Sequence, residues 1–247
     1  MSRGAPPDIE IVRYERDEFL EEVWDYSPGE HVTILAPSGG GKTWLGYQLL
    51  GETATEEVPA VVLVMKPRDD TVTKFSRQHR FRTVRRWPPP VVKSTLQGKT
   101  RGWVLWPKHT FDPATDDAVQ KAVFGRCILD CYKRGDRIVF GDETYSLENE
   151  LPGGGLSREI RTVHTKGRSM RCGMWVASQR AAFISKWAYQ AHHLFLGHDP
   201  DDDAQQRLSE IGAAVDKRLV RHVVASLRQH EFLYINRDDR TMCIIGA

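Results

Sequence analysis

Cysteine is scarce in this chain, and long apolar runs are missing. Four of its 247 residues are cysteines, Cys127, Cys131, Cys172 and Cys243, with no Cys-x-x-Cys pair among them. That pattern excludes the dense disulfide framework of small secreted domains and matches no zinc-ligand spacing. Reduced thiols in a cytosolic protein are expected, with Cys127 and Cys131 sharing one helical face in a core. The longest apolar run, Val58 to Met65, is far too short to span a bilayer. No charged-then-apolar leader opens the sequence. We therefore expect a soluble protein of the cytoplasm, in its own cell or a host, with no membrane partner. Excess charge of one sign is also missing, since the net charge is only +2. Its distribution is uneven, however. Met1 to Glu30 holds nine acidic and three basic residues, whereas Lys66 to Lys108 holds twelve Lys or Arg and two Asp. No internal repeat is visible, and 40% hydrophobic residues suffice for one large α/β core.

Glycine, by contrast, is concentrated where it has chemical meaning. Residues 36 to 43 read Ala-Pro-Ser-Gly-Gly-Gly-Lys-Thr, after the apolar run His31 to Leu35 and before a helix-forming stretch. Strand, glycine loop and helix start are the context of a phosphate-binding P-loop. Average residue usage predicts only about 0.02 chance matches in a chain this long, so the pattern is a signal. Successive glycines let the loop Pro37-Ser38-Gly39-Gly40-Gly41 turn its backbone N–H groups, from Ser38 onward, onto phosphates where a Cβ would obstruct. Lys42 can reach the β- and γ-phosphates, and Thr43 can ligand Mg²⁺. A nucleoside triphosphate, ATP rather than GTP, and Mg²⁺ are the expected cofactors. The run Asn236-Arg237-Asp238-Asp239 lacks the lysine of a guanine-reading motif and falls in an expected hairpin.

Strand and helix patterns alternate along the chain. Ile9 to Tyr14 reads as a strand, Asp17 to Tyr26 as a helix, Lys42 to Gly51 as the P-loop helix and Ala60 to Met65 as a buried strand. Asp69 to Lys99 shows no sustained period and carries the breaker Trp87-Pro88-Pro89-Pro90. Gly102 to Trp106 reads as a strand and Pro113 to Arg134 as a long helix. Strands are expected at Arg137 to Phe140, Met174 to Ala177 and His192 to Leu196, and a hairpin over Val223 to Ile245 turning at residues 237–240. The fold class is α/β, a P-loop NTPase with a mostly parallel central sheet flanked by helices. A single ATPase domain over 1–247 is expected, with 1–30 as a lead-in and 223–247 as a hairpin.

Ile138 to Phe140 is an apolar strand that leads, through Gly141, to Asp142 and Glu143. In P-loop ATPases with an added catalytic glutamate, the aspartate holds Mg²⁺ through water and the next carboxylate polarises the attacking water. Gln179 follows another strand and is placed to sense the γ-phosphate, the alternative being a glutamine that caps the strand. His192, His193 and His198 beside Asp199 to Asp203 match no zinc spacing and read as strand histidines before an acidic helix start.

Taken together, these motifs resemble the FtsK/HerA superfamily of ring-shaped DNA-pumping ATPases, including viral and phage genome-packaging ATPases. The resemblance rests on Lys42-Thr43, Asp142-Glu143, Gly167-Arg168 before the sensor strand, Ser178-Gln179-Arg180, and Gln190 to Leu196. Ala36 departs from the family, which usually has glycine there, and no large extra domain is visible. The resemblance implies a homo-oligomeric ring, a pentamer or hexamer, pumping double-stranded DNA, with capsid or portal proteins as candidate partners. It also implies an arginine supplied by the neighbouring subunit, with Arg168 or Arg171 in position by motif order. DNA phosphates need a basic surface, which Arg82, Arg85, Arg86 and Lys93 can supply. The glycine loop 152–155 is the alternative pore element. Rival readings are a translocase of conjugation or repair, and an ATP-binding assembly module with no use for Glu143.

Overall fold

The computed structural model describes residues 11–90, 100–179, 185–211 and 216–246. In chain order the strands are β1 (Arg13–Tyr14), β2 (Val32–Leu35), β3 (Ala60–Leu63), β4 (Arg82–Val84), β5 (Gly102–Leu105), β6 (Arg137–Gly141), β7 (Cys172–Ser178), β8 (His193–Gly197), β9 (Phe232–Asn236) and β10 (Thr241–Ile245). The α-helices are α1 (Arg16–Glu22), α2 (Lys42–Thr53), α3 (Asp70–Gln78), α4 (Pro113–Arg134), α5 (Thr144–Asn149), α6 (Ser157–Lys166), α7 (Asp202–Ile211) and α8 (Lys217–Ser226). The chain gathers into two compact units. Met1–Asp25, Val32–Lys42 and Ser178–Ala247 form the first, Tyr26–His31 and Thr43–Ala177 the second. One boundary falls inside the glycine loop motif, between Lys42 and Thr43.

In the second unit five strands run parallel in the order β7-β6-β3-β5-β4. β3 has every residue buried, which is why Ala60-Val61-Val62-Leu63 is apolar without alternation. Phe140 of β6 and Trp175 of β7 are fully buried; such side chains each stabilise by about 1.5–3 kcal/mol relative to exposure. Helix α4 packs on α6 and β6. Its start is fixed by the Asp112 carboxylate accepting from Thr115 N, with Pro113 inside the first turn, and its end by Gly135 at φ +72°. The boundaries match those read from the sequence.

In the first unit the order is β1-β10-β9-β8-β2. β2 and β8 are parallel, while β8–β9 and β9–β10 are antiparallel. The C-terminal hairpin is present, but it starts at Phe232 rather than Val223. Residues 217–226 are helical because Leu219, Val220, Val223 and Val224 fall on one buried helical face, and Asp216 caps the N-terminus by accepting from Arg218 N and Leu219 N. The hairpin turn is held by Asn236, whose Oδ1 accepts from Asp238 N and Asp239 N. The unassigned stretch 69–99 contains α3 and β4; Asp69 caps α3, and Val72 and Phe75 are its buried contacts.

Candidate functional site

The glycine loop leaves β2 in the first unit. Ala36 N donates to Ser178 O at 3.3 Å, and Gly40 N closes a turn on Pro37 O at 3.0 Å. Gly39 and Gly41 sit at φ +75° and +89°, where a side chain is strained. A Cβ on Gly40 would stand 2.9 Å from Ala36 Cβ. The sequence therefore needs glycine here for the backbone path itself. Lys42 is buried, and its Nζ donates to Pro37 O at 3.1 Å, which holds the ammonium over the loop. Gln179 is exposed one residue past Ser178, whose carbonyl takes the Ala36 N–H. The expected sensor thus lies beside the start of the loop.

The carboxylate pair belongs to the second unit. Asp142 follows β6 and is buried, and Thr43 Oγ1 lies 2.8 and 2.9 Å from its two carboxylate oxygens. One hydroxyl hydrogen is shared between them. Glu143 is half-buried, where the chain turns into α5. A residue that sequence reasoning passed over completes the cluster: Lys66 Nζ is 3.0 Å from Glu143 Oε1 and 3.8 Å from Asp142 Oδ2. Burial alone would lower the Lys66 pKa, but the hydrogen bond and charge of Glu143 and the charge of Asp142 raise it above the ordinary lysine value. Lys66 is held in place by its own carbonyl, which accepts from Trp106 Nε1 at 2.7 Å; next to it, Met65 O accepts from Gln120 Nε2 at 3.0 Å. A small solvent-open cleft is lined by Tyr47, Met65, Lys66, Asp69, Asp142 and Glu143. Burial, then Asp142 and Asp69, push the Tyr47 hydroxyl well above its usual pKa, so it stays a neutral wall. What brings Lys66 to the carboxylates is register, which the sequence does not carry: β3 and β6 pair with Leu63 opposite Gly141, so both segments leave the sheet at the same edge.

Hard oxygen donors converging from Thr43 and Asp142 fit Mg²⁺, which prefers such ligands. The arginines lie elsewhere. Arg168 is exposed at the start of a 3-10 turn, Arg168–Met170. Arg171, at φ +54°, pairs with Asp136. Since Arg137 is opposite Cys172, both arginines lie at the N-terminal edge of β6 and β7, away from Asp142 of the same chain.

Among the basic residues, Arg82 lies on β4, the end strand of its five-stranded sheet. Arg85 Nη1 donates to Trp106 O at 2.8 Å, with its guanidinium 5.7 Å over the Trp106 ring. Arg86 is exposed. Lys93, and Arg180 of the sensor motif, lie outside the described residues. The glycine loop 152–155 is tied to α4, with Lys121 Nζ donating to Pro152 O and Gly153 O. Cys127 and Cys131 are buried with sulfurs 4.0 Å apart, a core contact as expected. His193 hydrogen-bonds Tyr234 at 2.9 Å and packs on Trp24, a core histidine.

No protein-family model matches the chain, and no curated protein does. Solved structures do. B204, the DNA-packaging ATPase from Sulfolobus turreted icosahedral virus, is similar with a TM-score of 0.60 at 14% identity, over 89% of this chain and 98% of that one. The genome-packaging NTPase B204 of Sulfolobus turreted icosahedral virus 2, in complex with AMPPCP, gives 0.59 at 14% identity over 89% and 98%. VirB4 of Thermoanaerobacter pseudethanolicus gives 0.62 at 10% identity over 87% and 88%. The fold is that of the P-loop ATPases. At these identities the likeness is one of fold, and it agrees with the resemblance to FtsK/HerA-type ATPases carried by the motifs. No helix among the described residues is long and apolar enough to cross a membrane.

Proposed function

We propose that the chain is an ATPase that drives double-stranded DNA, working as a homo-oligomeric ring in the packaging of a viral genome. The observation that carries the reading is the Thr43–Asp142 contact with Glu143 as the next residue. Thr43, the residue after Lys42 in the motif, carries the contact to the carboxylate pair. The loop amides and Lys42 hold the β- and γ-phosphates. Thr43 and, through water, Asp142 would hold Mg²⁺, which would neutralise charge on the phosphates. Glu143 orients a water and polarises it; the water oxygen bonds to the γ-phosphorus, the bond to the β–γ bridging oxygen breaks, and ADP and phosphate leave. Lys66 positions the Glu143 carboxylate. Gln179, beside the loop, reports the γ-phosphate. Arg168, or failing that Arg171, reaches the site of a neighbouring copy and balances transition-state charge. Arg82, Arg85, Arg86 and Lys93 face DNA phosphates.

The fold shared with B204, named as a DNA-packaging ATPase, supports the packaging setting, with capsid or portal proteins as partners in a host cytoplasm. The likeness to VirB4 supports a second reading, a translocase outside packaging. Steady-state ATP turnover with and without duplex DNA tests the shared core of both. Duplex DNA should stimulate turnover several-fold, and the stimulation should fade with added salt. Turnover indifferent to DNA at every salt concentration would remove DNA from the account and leave an ATPase with another task.

A further inference from the structure

His230, a residue that no motif marks, stands over the glycine loop. A Cβ built on Gly41 would lie 3.2 Å from His230 Nδ1, the nearest heavy atom outside Gly41 and its two chain neighbours. Gly41 directly precedes Lys42, so the imidazole faces the stretch of backbone whose amides would take the phosphates. His230 is exposed, and its backbone is at φ +68°, in the left-handed region that histidine adopts at a cost.

Such a conformation persists only when its surroundings impose it, and here they do. Two arginines from the N-terminal segment hold the loop 228–231. Arg16, buried, donates from Nη2 to His230 O at 3.1 Å, and from Nε and Nη2 to Gly246 O at 2.9 and 2.6 Å. Burial lowers the Arg16 pKa to about 10, opposed by Asp17, so the guanidinium stays charged at neutral pH. Arg13 pairs with the buried Glu231 at 2.5 Å. The other Glu231 oxygen accepts from Arg228 N at 2.7 Å, and Glu231 N closes the turn on Arg228 O at 3.1 Å. A strained residue clamped on both sides, with its ring presented to a phosphate-binding loop, has the geometry of a built contact.

We propose that His230 contacts the nucleotide bound on the loop, its ring N–H donating to a phosphate oxygen, so that β9, which starts two residues later, responds to nucleotide occupancy. This rests on the nucleotide-site reading above. A charged acceptor makes such a hydrogen bond shorter and stronger than a neutral one.

The test is fluorescence titration of the full chain with an N-methylanthraniloyl ATP analogue, comparing wild type, Lys42→Ala and His230→Gly. Glycine suits φ +68° better than histidine, so His230→Gly removes the ring without straining the loop, and its melting temperature without nucleotide should equal or exceed that of wild type. The expected result is a roughly tenfold rise in Kd for His230→Gly, a loss of about 1.4 kcal/mol. The ring ¹⁵N resonances of His230 should also shift when ATPγS is added to wild type and stay still in Lys42→Ala. A Kd for His230→Gly within twofold of wild type, while Lys42→Ala loses binding, overturns the His230 contact and leaves the site reading standing. Binding that is equally insensitive to Lys42→Ala overturns both.

Discussion

The two edges of the five-stranded parallel sheet in the second unit carry opposite chemistry. At the C-terminal edge Asp142, Glu143 and Thr43 gather oxygen ligands around one lysine, Lys66. At the N-terminal edge Arg168 and Arg171 follow α6 and precede β7. β6 separates them: four steps at about 3.3 Å put roughly 13 Å between Arg137 and Gly141. Neither arginine lies at the edge that carries Asp142 and Glu143 of its own chain. Under the proposed function the difference shows how such a site would be divided, with the metal ligands and the water-polarising carboxylate on one edge and a charge-balancing arginine offered to a neighbour from the other. The two arginines also differ in setting, with Arg171 paired to Asp136 in a left-handed turn and Arg168 exposed at the start of the 3-10 turn before it.

Substituting each edge in turn should break the comparison in ordered amounts. Arg168→Ala is expected to lower ATP turnover by about 10³-fold, the low end for a missing arginine finger, with nucleotide affinity retained. Arg171→Ala should instead leave turnover nearly unchanged and lower stability by about 0–1 kcal/mol, the worth of an exposed pair. Reversal of that pattern in a steady-state phosphate-release assay would exchange their roles. Glu143→Gln should cost about 10²–10³-fold in turnover while the nucleotide Kd stays within a few-fold, since Thr43 and Asp142 remain. Lys66→Ala should cost about tenfold, through a misplaced Glu143, and Lys66→Arg should recover part of it. An equal loss in both would make the ion pair irrelevant to turnover.

A smaller effect concerns the basic residues of the stretch Lys66 to Lys108. Replacing Arg82, Arg85 and Arg86 by Glu should weaken duplex binding regardless of base sequence and reduce the salt slope by about one for each phosphate no longer neutralised. Arg85 also packs on Trp106, so part of its cost should appear as a lower melting temperature in the absence of DNA. Unchanged affinity and slope would move the DNA surface elsewhere, with the loop 152–155 next in line.

The glycine loop and the Asp142-Glu143 pair were legible in the sequence because everything they need lies within a few consecutive residues: an apolar strand, then glycines with Lys-Thr, or an apolar strand, then carboxylates. The helix Pro113–Arg134 was legible for the same reason, with its cap, proline and terminal glycine all local. Lys66 and His230 were not, since each gains its meaning from a neighbour far along the chain, Lys66 from Asp142 and His230 from Gly41. Only strand order and register bring such pairs together, and one sequence carries neither. α8 was misread for a different reason. Its valines favour a strand by propensity, and the helical spacing of Leu219, Val220, Val223 and Val224 together with the Asp216 cap outweighs it. α3 is short, and its apolar face, Val72 and Phe75, was hidden because it was read together with the proline-broken stretch that follows it.

The division of one site between two edges of two copies is tested most directly by mixing inactive chains. Arg168→Ala and Glu143→Gln subunits, each nearly inactive alone, should regain a measurable fraction of wild-type ATP turnover when co-assembled, because some interfaces then pair an intact Arg168 with an intact Glu143. A mixture that stays as inactive as its components, in assemblies verified by mass to contain both chains, would contradict the shared site and return Arg168 to a structural or DNA-binding role.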